Sequence, residues 1–361
     1  MDSGEQMRQR MVSIWLFACA ALVYTVLIVG GVTRLTHSGL SIAEWQPLVG
    51  ALPPWSDHAW AALFERYRAT PEYRLVTYGI TLAEFKHIFW WEYAHRLLAR
   101  LAGFAFLLPL LWFVWSGKLS GRLWRRLAIL FVLGGLQGAL GWSMVASGLV
   151  DSPRVSPIRL AGHLALALLI IGAMLWTAWD LRVAPGRPRR VPLLAGVTVV
   201  GVYLMAIAGA LVAGTKAGFA YNTFPLMDGA LVPEGLLRLS PWYLNFVDNV
   251  TAVQFTHRAI GWTLIALVPT LWWWTRKSVP APTARIESNW MLVALVLQVG
   301  LGISTLLSVV ALPLAAAHQA GAVALFAATL WTTHALSSRI VTAGGRRDMA
   351  PAQAPEVPVS A

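Results

Sequence analysis

Apolar residues along the chain fall in long runs, each near the roughly 20 residues that a helix needs to cross a bilayer. Polar and charged residues collect in the connections between these runs. The pattern therefore predicts about eight transmembrane helices, with ends defined to within a few residues. The predicted spans are roughly 12–35, 88–115, 124–147, 157–181, 191–214, 250–275, 289–311 and 314–337.

The composition agrees with this pattern. Hydrophobic residues make up 57% of the chain and charged residues only 12%, with a mean hydropathy of +0.62. A soluble domain carries roughly a quarter charged residues. The only cysteine, Cys19, lies inside the first run, so an intramolecular disulfide is impossible. The sequence thus predicts an all-α integral membrane protein that crosses the bilayer several times.

The net charge of +12 comes from arginines and lysines that crowd alternate connections. By the positive-inside rule these connections face the cytoplasm, so both termini are predicted to be cytoplasmic and nucleic acid is not an expected partner. The first run is too long for the apolar region of a signal peptide and lacks a credible cleavage pattern, so it is interpreted as a retained span. The basic residues concerned are Arg8, Arg10, Lys118, Arg122, Arg125, Arg126, Arg182, Arg187, Arg189, Arg190, Arg276, Lys277, Arg285, Arg346 and Arg347.

The chain also repeats itself, which indicates a duplicated unit of four spans. The matching segments are "GGVTRLTHSG" with "GALVAGTKAG", "HRLLARLAGF" with "HRAIGWTLIA", "LQGALGW" with "LQVGLGI" and, more loosely, "GHLALAL" with "HQAGAVAL". A unit with an even number of spans inserts twice in the same orientation. We therefore expect two tandem four-helix bundles related by a pseudo-two-fold axis along the membrane normal.

This repeat divides the chain into three parts. Residues 1–185 are predicted to form the N-terminal four-helix half and residues 186–340 the C-terminal half. Residues 341–361 are rich in proline and alanine and are predicted to be a disordered cytoplasmic tail.

Four histidines occupy equivalent places in this arrangement. They lie near the starts of the second, fourth, sixth and eighth spans, all of which begin on the outer side. Two fall in each half, where a four-helix bundle can direct them at a common centre. They are His95, His163, His257 and His318.

Such a repeated pair favours ligation over a hydrogen bond between helices, because ionisable groups inside a membrane are usually functional. Zinc is a poor candidate, since each bundle offers only two histidines and no cysteine. Haem fits better because the porphyrin supplies four nitrogens and the protein only one or two axial ligands. The remaining histidines have no partner in the repeat and are interpreted as loop or span-end residues. They are His37, His58, His87 and His334.

Arginines follow two of the four histidines. Arg96, Arg100 and Arg258 are candidates to pair with haem propionates near the outer face. For Arg100, snorkelling toward the lipid headgroups is an equally good interpretation.

The two halves differ at one position beside the histidines. Glu92 precedes His95 by one helical turn, and the equivalent residue before His257 is Gln254. A carboxylate can take up a proton or stabilise positive charge, which an amide cannot do. We therefore interpret the N-terminal half as the reacting site and the C-terminal half as the electron-handling one. The alternative is that Glu92 is an ion-pair partner of Arg96 or Lys86.

Taken together, the motifs resemble those of the haem A synthases over nearly the whole chain. The segments that carry the resemblance are "GGVTRLTHSGLSIAEWQPLVGALPP", "FKHIFWWEYAHRLLAR", "GLQGALGWSMVASGL", "NTFPLMDG", "QFTHRAIGW" and "AAAHQAGA". The resemblance implies an eight-helix enzyme that oxidises a methyl group of haem O to the formyl group of haem A. Its product would serve the assembly of terminal oxidases.

The resemblance also implies roles for the site residues. The family's ligand positions match His95 and His163 on the substrate side and His257 and His318 around a bound haem b, and its essential glutamate matches Glu92. The chain lacks the outer-loop cysteine pairs of some members, so it is similar to the mitochondrial-type branch.

The expected location is the bacterial inner membrane, with the haem sites near the outer face. The farnesyltransferase that forms haem O is an expected partner from the resemblance alone, and a homo-oligomer stays open.

Two other classes of function remain open at this stage. One is a diheme membrane cytochrome that only transfers electrons, which leaves Glu92 without a role. The other is a transporter built on parallel repeats, in which histidine and glutamate form a proton relay.

Overall fold

The computed structural model describes residues 3–44, 50, 52–117, 119, 121–150, 153–183, 190–278 and 282–347. Within these ranges the side chains of residues 282–283 and 338–347 are not described. The predicted tail therefore lies outside the described residues from 348 onward. The last helix reaches Arg347, beyond the boundary at 340 that the sequence predicts.

Eight long helices and two short ones make up the described part of the chain, with only one isolated β-bridge, between Met227 and Ala230. The helices are α1 (Ser3–Leu35), α2 (Asp57–Arg68), α3 (Pro71–Leu75), α4 (Leu82–Trp115), α5 (Gly121–Ser147), α6 (Pro157–Asp180), α7 (Leu193–Thr215), α8 (Val250–Ser278), α9 (Pro282–Leu307) and α10 (Leu312–Arg347). Two short 3₁₀-helices lie at Ala217–Phe219 and Trp242–Phe246.

Seven of the long helices contain segments long and apolar enough to cross a membrane. The eighth, α8, has a similar length but is not among them, because polar residues fall near both of its ends, among them His257 and Arg258 at the start and Arg276 and Lys277 at the end. The prediction of an all-α, multi-span membrane protein with about eight helices is confirmed.

Capping residues set the starts of two helices that carry site histidines. The Thr81 side chain accepts from the backbone N–H of Glu84, and the Glu84 carboxylate accepts from the N–H of Thr81, which forms a capping box. At α6 the Ser156 side chain caps the helix and Pro157 occupies its first turn. These starts place His163 early in its helix, as the sequence predicts.

The helix contacts follow the predicted repeat. In the first half α1 packs on α4 and α6, and α5 packs on α4 and α6. In the second half α7 packs on α8 and α10, and α9 packs on α8 and α10, in the equivalent order. The halves meet through α6–α7, α1–α10 and α6–α10. These repeated contacts support two tandem four-helix bundles.

The largest buried cluster lies where the two halves meet. Leu168 and Ile171 of α6 pack there with Val202 of α7 and with Phe326 and Leu330 of α10. A Cβ on Gly172 would lie 3.1–3.4 Å from α10 side chains, so this glycine allows α6 and α10 to approach closely.

The connection between α1 and α4 forms its own small structure through α2 and α3. An aromatic cluster holds it against the start of α4, with Trp60 of α2 packed on Phe89 at 4.9 Å and Tyr67 on Phe85 at 5.1 Å between ring centroids. This connection covers the end of the first half at which Glu92 and His95 lie.

Candidate functional site

Each site histidine of the N-terminal half rests against a glycine of a neighbouring helix. A Cβ on Gly30 of α1 would lie 2.6 Å from Cε1 of His95, and a Cβ on Gly141 of α5 would lie 2.9 Å from Cε1 of His163. Real Cβ contacts are longer, so only glycine leaves room for the imidazole at these two places. We call Gly30 and Gly141, together with Gly209 and Gly302 of the other half, the seat glycines.

The C-terminal half repeats this arrangement. A Cβ on Gly209 of α7 would lie 3.2 Å from Cε1 of His257, and one on Gly302 of α9 would lie 2.8 Å from Cε1 of His318. The four histidines are partly buried. The structure thus brings all four sequence-predicted ligands into the same local setting.

A backbone carbonyl one turn before each seat glycine faces the ring. His95 Nδ1 lies 3.1 Å from the carbonyl oxygen of Val26. The other rings face the carbonyls of Gln137, Met205 and Gln298, outside hydrogen-bond geometry, and their Nδ1 atoms are buried without a partner among the described residues. A carbonyl beside Nδ1 favours the tautomer whose Nε2 is free to bind a metal.

Two glutamines, to which the sequence analysis assigns no role, each donate a hydrogen bond to the backbone carbonyl of a site histidine. Gln137 donates to the backbone carbonyl of His163 at 3.0 Å, and Gln298 donates to that of His318 at 3.0 Å. Their position in the matching "LQGALGW" and "LQVGLGI" segments was a usable signal. They hold the helix turn from which each histidine projects.

The rings are paired within each half. Each half carries two of these glycine-seated imidazoles, His95 on α4 and His163 on α6 in the first half and His257 on α8 and His318 on α10 in the second. Among the described residues no three or more His, Cys, Asp or Glu side chains converge on one point. A pair of neutral imidazoles is a donor set that fits haem iron, whose other four ligands come from the porphyrin.

Glu92 is buried beside the N-terminal pair and accepts three hydrogen bonds. Its Oε2 accepts from the Ser41 hydroxyl at 2.7 Å and from the Ile42 N–H at 2.8 Å, while Oε1 accepts from Arg96 at 2.6 Å. Its side chain is 3% exposed. Of the two ion-pair partners considered from the sequence, Arg96 is therefore the one found, and Lys86 lies over the Trp60 ring instead.

The equivalent position of the other half has the opposite hydrogen-bond polarity. Gln254 donates from Nε2 to the carbonyl of Tyr221 at 3.2 Å, and its Oε1 is buried without a partner in the described structure. Tyr221 stands in the repeat where Ile42 stands in the first half. One loop thus donates to a carboxylate, and the other accepts from an amide.

The two arginines hold these loops in the same way. Arg96 donates to the carbonyls of Ile42 at 2.7 Å and Glu44 at 3.1 Å, and Arg258 donates to those of Tyr221 at 2.9 Å and Leu226 at 3.2 Å. Their guanidinium groups therefore fix the loops that cover both pairs.

A small cavity of about 80 Å³ lies beside Arg96 in the N-terminal half. Ser41, Arg66, Tyr67 and Arg100 also line it. Its size suits a few waters or one carboxylate group. Glu44 also lines it and forms a salt bridge with Arg66 at 2.9 Å, so the three arginines face one carboxylate, and the lining keeps a net positive charge that favours an anionic group.

The four histidines interpreted from the sequence as loop or span-end residues do not belong to these pairs. His334 is buried near the end of the apolar part of α10, and its Nε2 lies 3.0 Å from the Asp180 carboxylate. His37 follows α1, where burial and the charges of Lys216 and Arg34 lower its pKa. His58 lies in α2 and His87 in the first turns of α4.

Fold and site together define a class: a helical membrane protein of two similar four-helix halves, each with a glycine-seated histidine pair. A family model described as "Cytochrome oxidase assembly protein" matches residues 13–330. The chain is 52% identical to a protein named heme A synthase from Nitrosospira multiformis, over 91% of this chain and 94% of that one. It is 47% identical to a protein of the same name from Nitrosomonas eutropha and 48% identical to one from Parvibaculum lavamentivorans, each over 90% of this chain and at least 93% of the relative. The chain belongs to the haem A synthase family, which confirms the resemblance seen in the sequence.

Proposed function

We propose that this chain makes haem A by oxidising a methyl group of haem O to a formyl group, for the assembly of terminal oxidases. The observation that carries the proposal is the glycine-seated histidine pair present in both halves, with an ionisable group beside only one of them. The relatives named heme A synthase match this chain over about nine-tenths of its length, which supports the same activity here.

Within this proposal the two pairs have different tasks. His95 and His163 hold the iron of the substrate haem O, because Glu92 is beside them. His257 and His318 would hold the iron of a resident haem b, because their neighbour Gln254 cannot exchange a proton. When bound, haem b supplies one-electron transfer chemistry.

Glu92 is the acid–base and electrostatic group of the reacting half. Ser41, Ile42 and Arg96 occupy three of its four acceptor positions, so about one remains for a further donor. It can therefore take up a proton released beside the substrate or balance positive charge that develops there. Arg96 limits the cost of keeping this charge in a buried place.

The arginines orient the substrate by its carboxylates. In the N-terminal half a propionate fits the cavity lined by Arg66, Arg96 and Arg100, where a bidentate contact fixes position as well as charge. In the C-terminal half Arg258 takes the equivalent role toward haem b. The repeat position of Arg100 is Trp262, which stacks on Phe224 at 5.6 Å, so the second half has fewer cations.

The chain is a multi-pass membrane protein, and its relatives are bacterial. We propose that it lies in the inner membrane with both termini in the cytoplasm and with the histidine pairs near the outer face. Arg8 and Arg10 at the start of α1 and Arg276 and Lys277 at the end of α8 support this orientation. Haem O would reach the site from the farnesyltransferase that forms it, within the same membrane.

The test is expression of the chain together with that farnesyltransferase in a bacterium that lacks haem A, followed by chromatography of the extracted haems. We expect haem A in the extract, and only haem O when the chain is omitted. A purified protein that carries haem but yields no haem A would instead indicate an electron-transfer cytochrome. A colourless protein would favour a transporter.

A further inference from the structure

Of the three helix pairs that join the halves, α1–α10 and α6–α7 are equivalent in the repeat. In the first, the Tyr24 hydroxyl donates to the carbonyl of Ala320 at 3.1 Å. In the second, the Tyr203 hydroxyl donates to the carbonyl of Ala165 at 3.2 Å. Tyr24 and Tyr203 stand at the same distance before the seat glycines Gly30 and Gly209, so the two bonds are repeat equivalents.

One contact breaks this equivalence. Gln319, the residue after His318, donates from Nε2 to the carbonyl of Leu27 on α1 at 2.9 Å. The other interface has Leu164 at the position of Gln319, and leucine cannot donate a hydrogen bond. The bond from Gln319 to Leu27, called the Gln319 bridge below, therefore has no counterpart in the α6–α7 interface.

The sequence of α1 makes room for the Gln319 bridge. A Cβ on Gly31 would overlap the Gln319 amide, whereas the repeat has Ala210 at the position of Gly31. Gly30 and Gly31 are thus adjacent glycines with separate tasks, since the first accommodates His95 and the second accommodates Gln319. The side chains of His95 and Gln319 therefore both pack against the same turn of α1.

The Gln319 bridge ends next to the carbonyl that orients His95. Leu27 accepts from Gln319, and the preceding carbonyl, of Val26, lies 3.1 Å from His95 Nδ1. The two accepting carbonyls therefore belong to adjacent residues of α1. Movement of this turn of α1 would rotate the His95 ring, because its Nδ1 follows that carbonyl.

We propose that Gln319 is a positioning residue that fixes the imidazole of His95 from the opposite half of the molecule. It ties the turn of α10 that carries His318 to the turn of α1 that orients His95, so the substrate site takes its geometry partly from the cofactor half. This inference rests on the proposed function, since it assigns His95 to haem O.

The test uses Gln319→Met, which keeps the volume and removes the donor, and Tyr24→Phe, which removes a neighbouring bond of the same interface. Haem O is titrated optically into each purified protein with its resident haem b in place. We expect Gln319→Met to weaken haem O binding roughly two- to tenfold, as for the loss of one hydrogen bond. The low-spin electron paramagnetic resonance signal of the haem O centre should shift as well, because it depends on imidazole orientation. Tyr24→Phe should leave that signal in place.

Gly31→Ala is the second variant, since its methyl group displaces the Gln319 amide from the opposite side of the contact. The same weakening and the same shift are expected. Unchanged haem O binding in both variants, equal changes in Tyr24→Phe, or loss of haem b from both variants would overturn the inference. Failure of the unaltered protein to bind haem O would instead refute the proposed function.

Discussion

The two halves have nearly the same architecture and differ in a few side chains beside the histidines. Both seat two imidazoles on glycines and hold the covering loop with an arginine. The N-terminal half has a buried carboxylate with three donors where the C-terminal half has an amide. On the proposed function, the duplicated scaffold would keep the haem-binding histidines in both copies, while a single side chain, Glu92, would assign the reaction to one.

The largest effect should come from removing the ligands of one half at a time. His257→Ala or His318→Ala should abolish the low-spin b-type absorbance of the purified protein, because each removes one of the two imidazoles proposed to hold haem b. His95→Ala or His163→Ala should keep that absorbance and abolish haem O binding. Loss of haem b from all four variants would show that the two halves do not bind their haems independently.

Glu92→Gln gives the first half the side chain of the second. We expect haem O to accumulate with a loss of haem A formation of roughly 10²–10⁴-fold, the usual contribution of a positioned acid–base group. The matched control, Gln254→Glu, should leave haem A formation largely intact. Product analysis by chromatography measures both. Normal haem A yield from Glu92→Gln would make Glu92 only the ion-pair partner of Arg96.

The seat glycines should differ in sensitivity. Gly30→Ala places a methyl group 2.6 Å from His95, and Gly209→Ala places one 3.2 Å from His257. Overpacking typically costs ~1–3 kcal/mol, so haem O affinity should fall roughly 5- to 150-fold in the first variant. The haem b content should change little in the second. Gly103→Ala, whose methyl group meets nothing within 4 Å, is the control. Equal effects at all three positions would indicate a general change in the helices.

The smallest effect concerns Glu72 of α3, in the connection between α1 and α4. Burial raises the pKa of Glu72 from 4.5 to about 7, although the charge of Lys216 in the second half opposes the shift. Because the folded protein holds this proton more tightly, its contribution to stability is present below about pH 4.5 and is lost as pH rises through about 7. Glu72→Gln should flatten the pH dependence of the free energy of unfolding between about pH 4.5 and 7 by roughly 1 kcal/mol after allowance for solvent screening, which is measured by following Tm against pH. An unchanged pH profile would contradict this.

The helical membrane class, the two repeats and the four equivalent histidines could be predicted from the amino-acid sequence alone. Run length and hydropathy are decided by the bilayer, which requires backbone groups to be bonded within each helix. Glu92 and Gln254 also stood out from the sequence alone, since residues one helical turn apart share a face. The exception was α8, whose polar residues near both ends reduce its hydropathy, although its histidine and arginine showed its equivalence to α4.

The residues that support those groups could not be predicted from the sequence, because they come from distant parts of the chain. Ser41 and the Ile42 N–H reach Glu92 from a loop about fifty residues away in sequence, and Gln319 reaches Leu27 from the other end of the chain. The seat glycines matter because the absence of a Cβ leaves room for an imidazole, so their role depends on which helix packs against them. Periodicity describes one helix at a time, whereas these contacts depend on the approach and rotation of neighbouring helices.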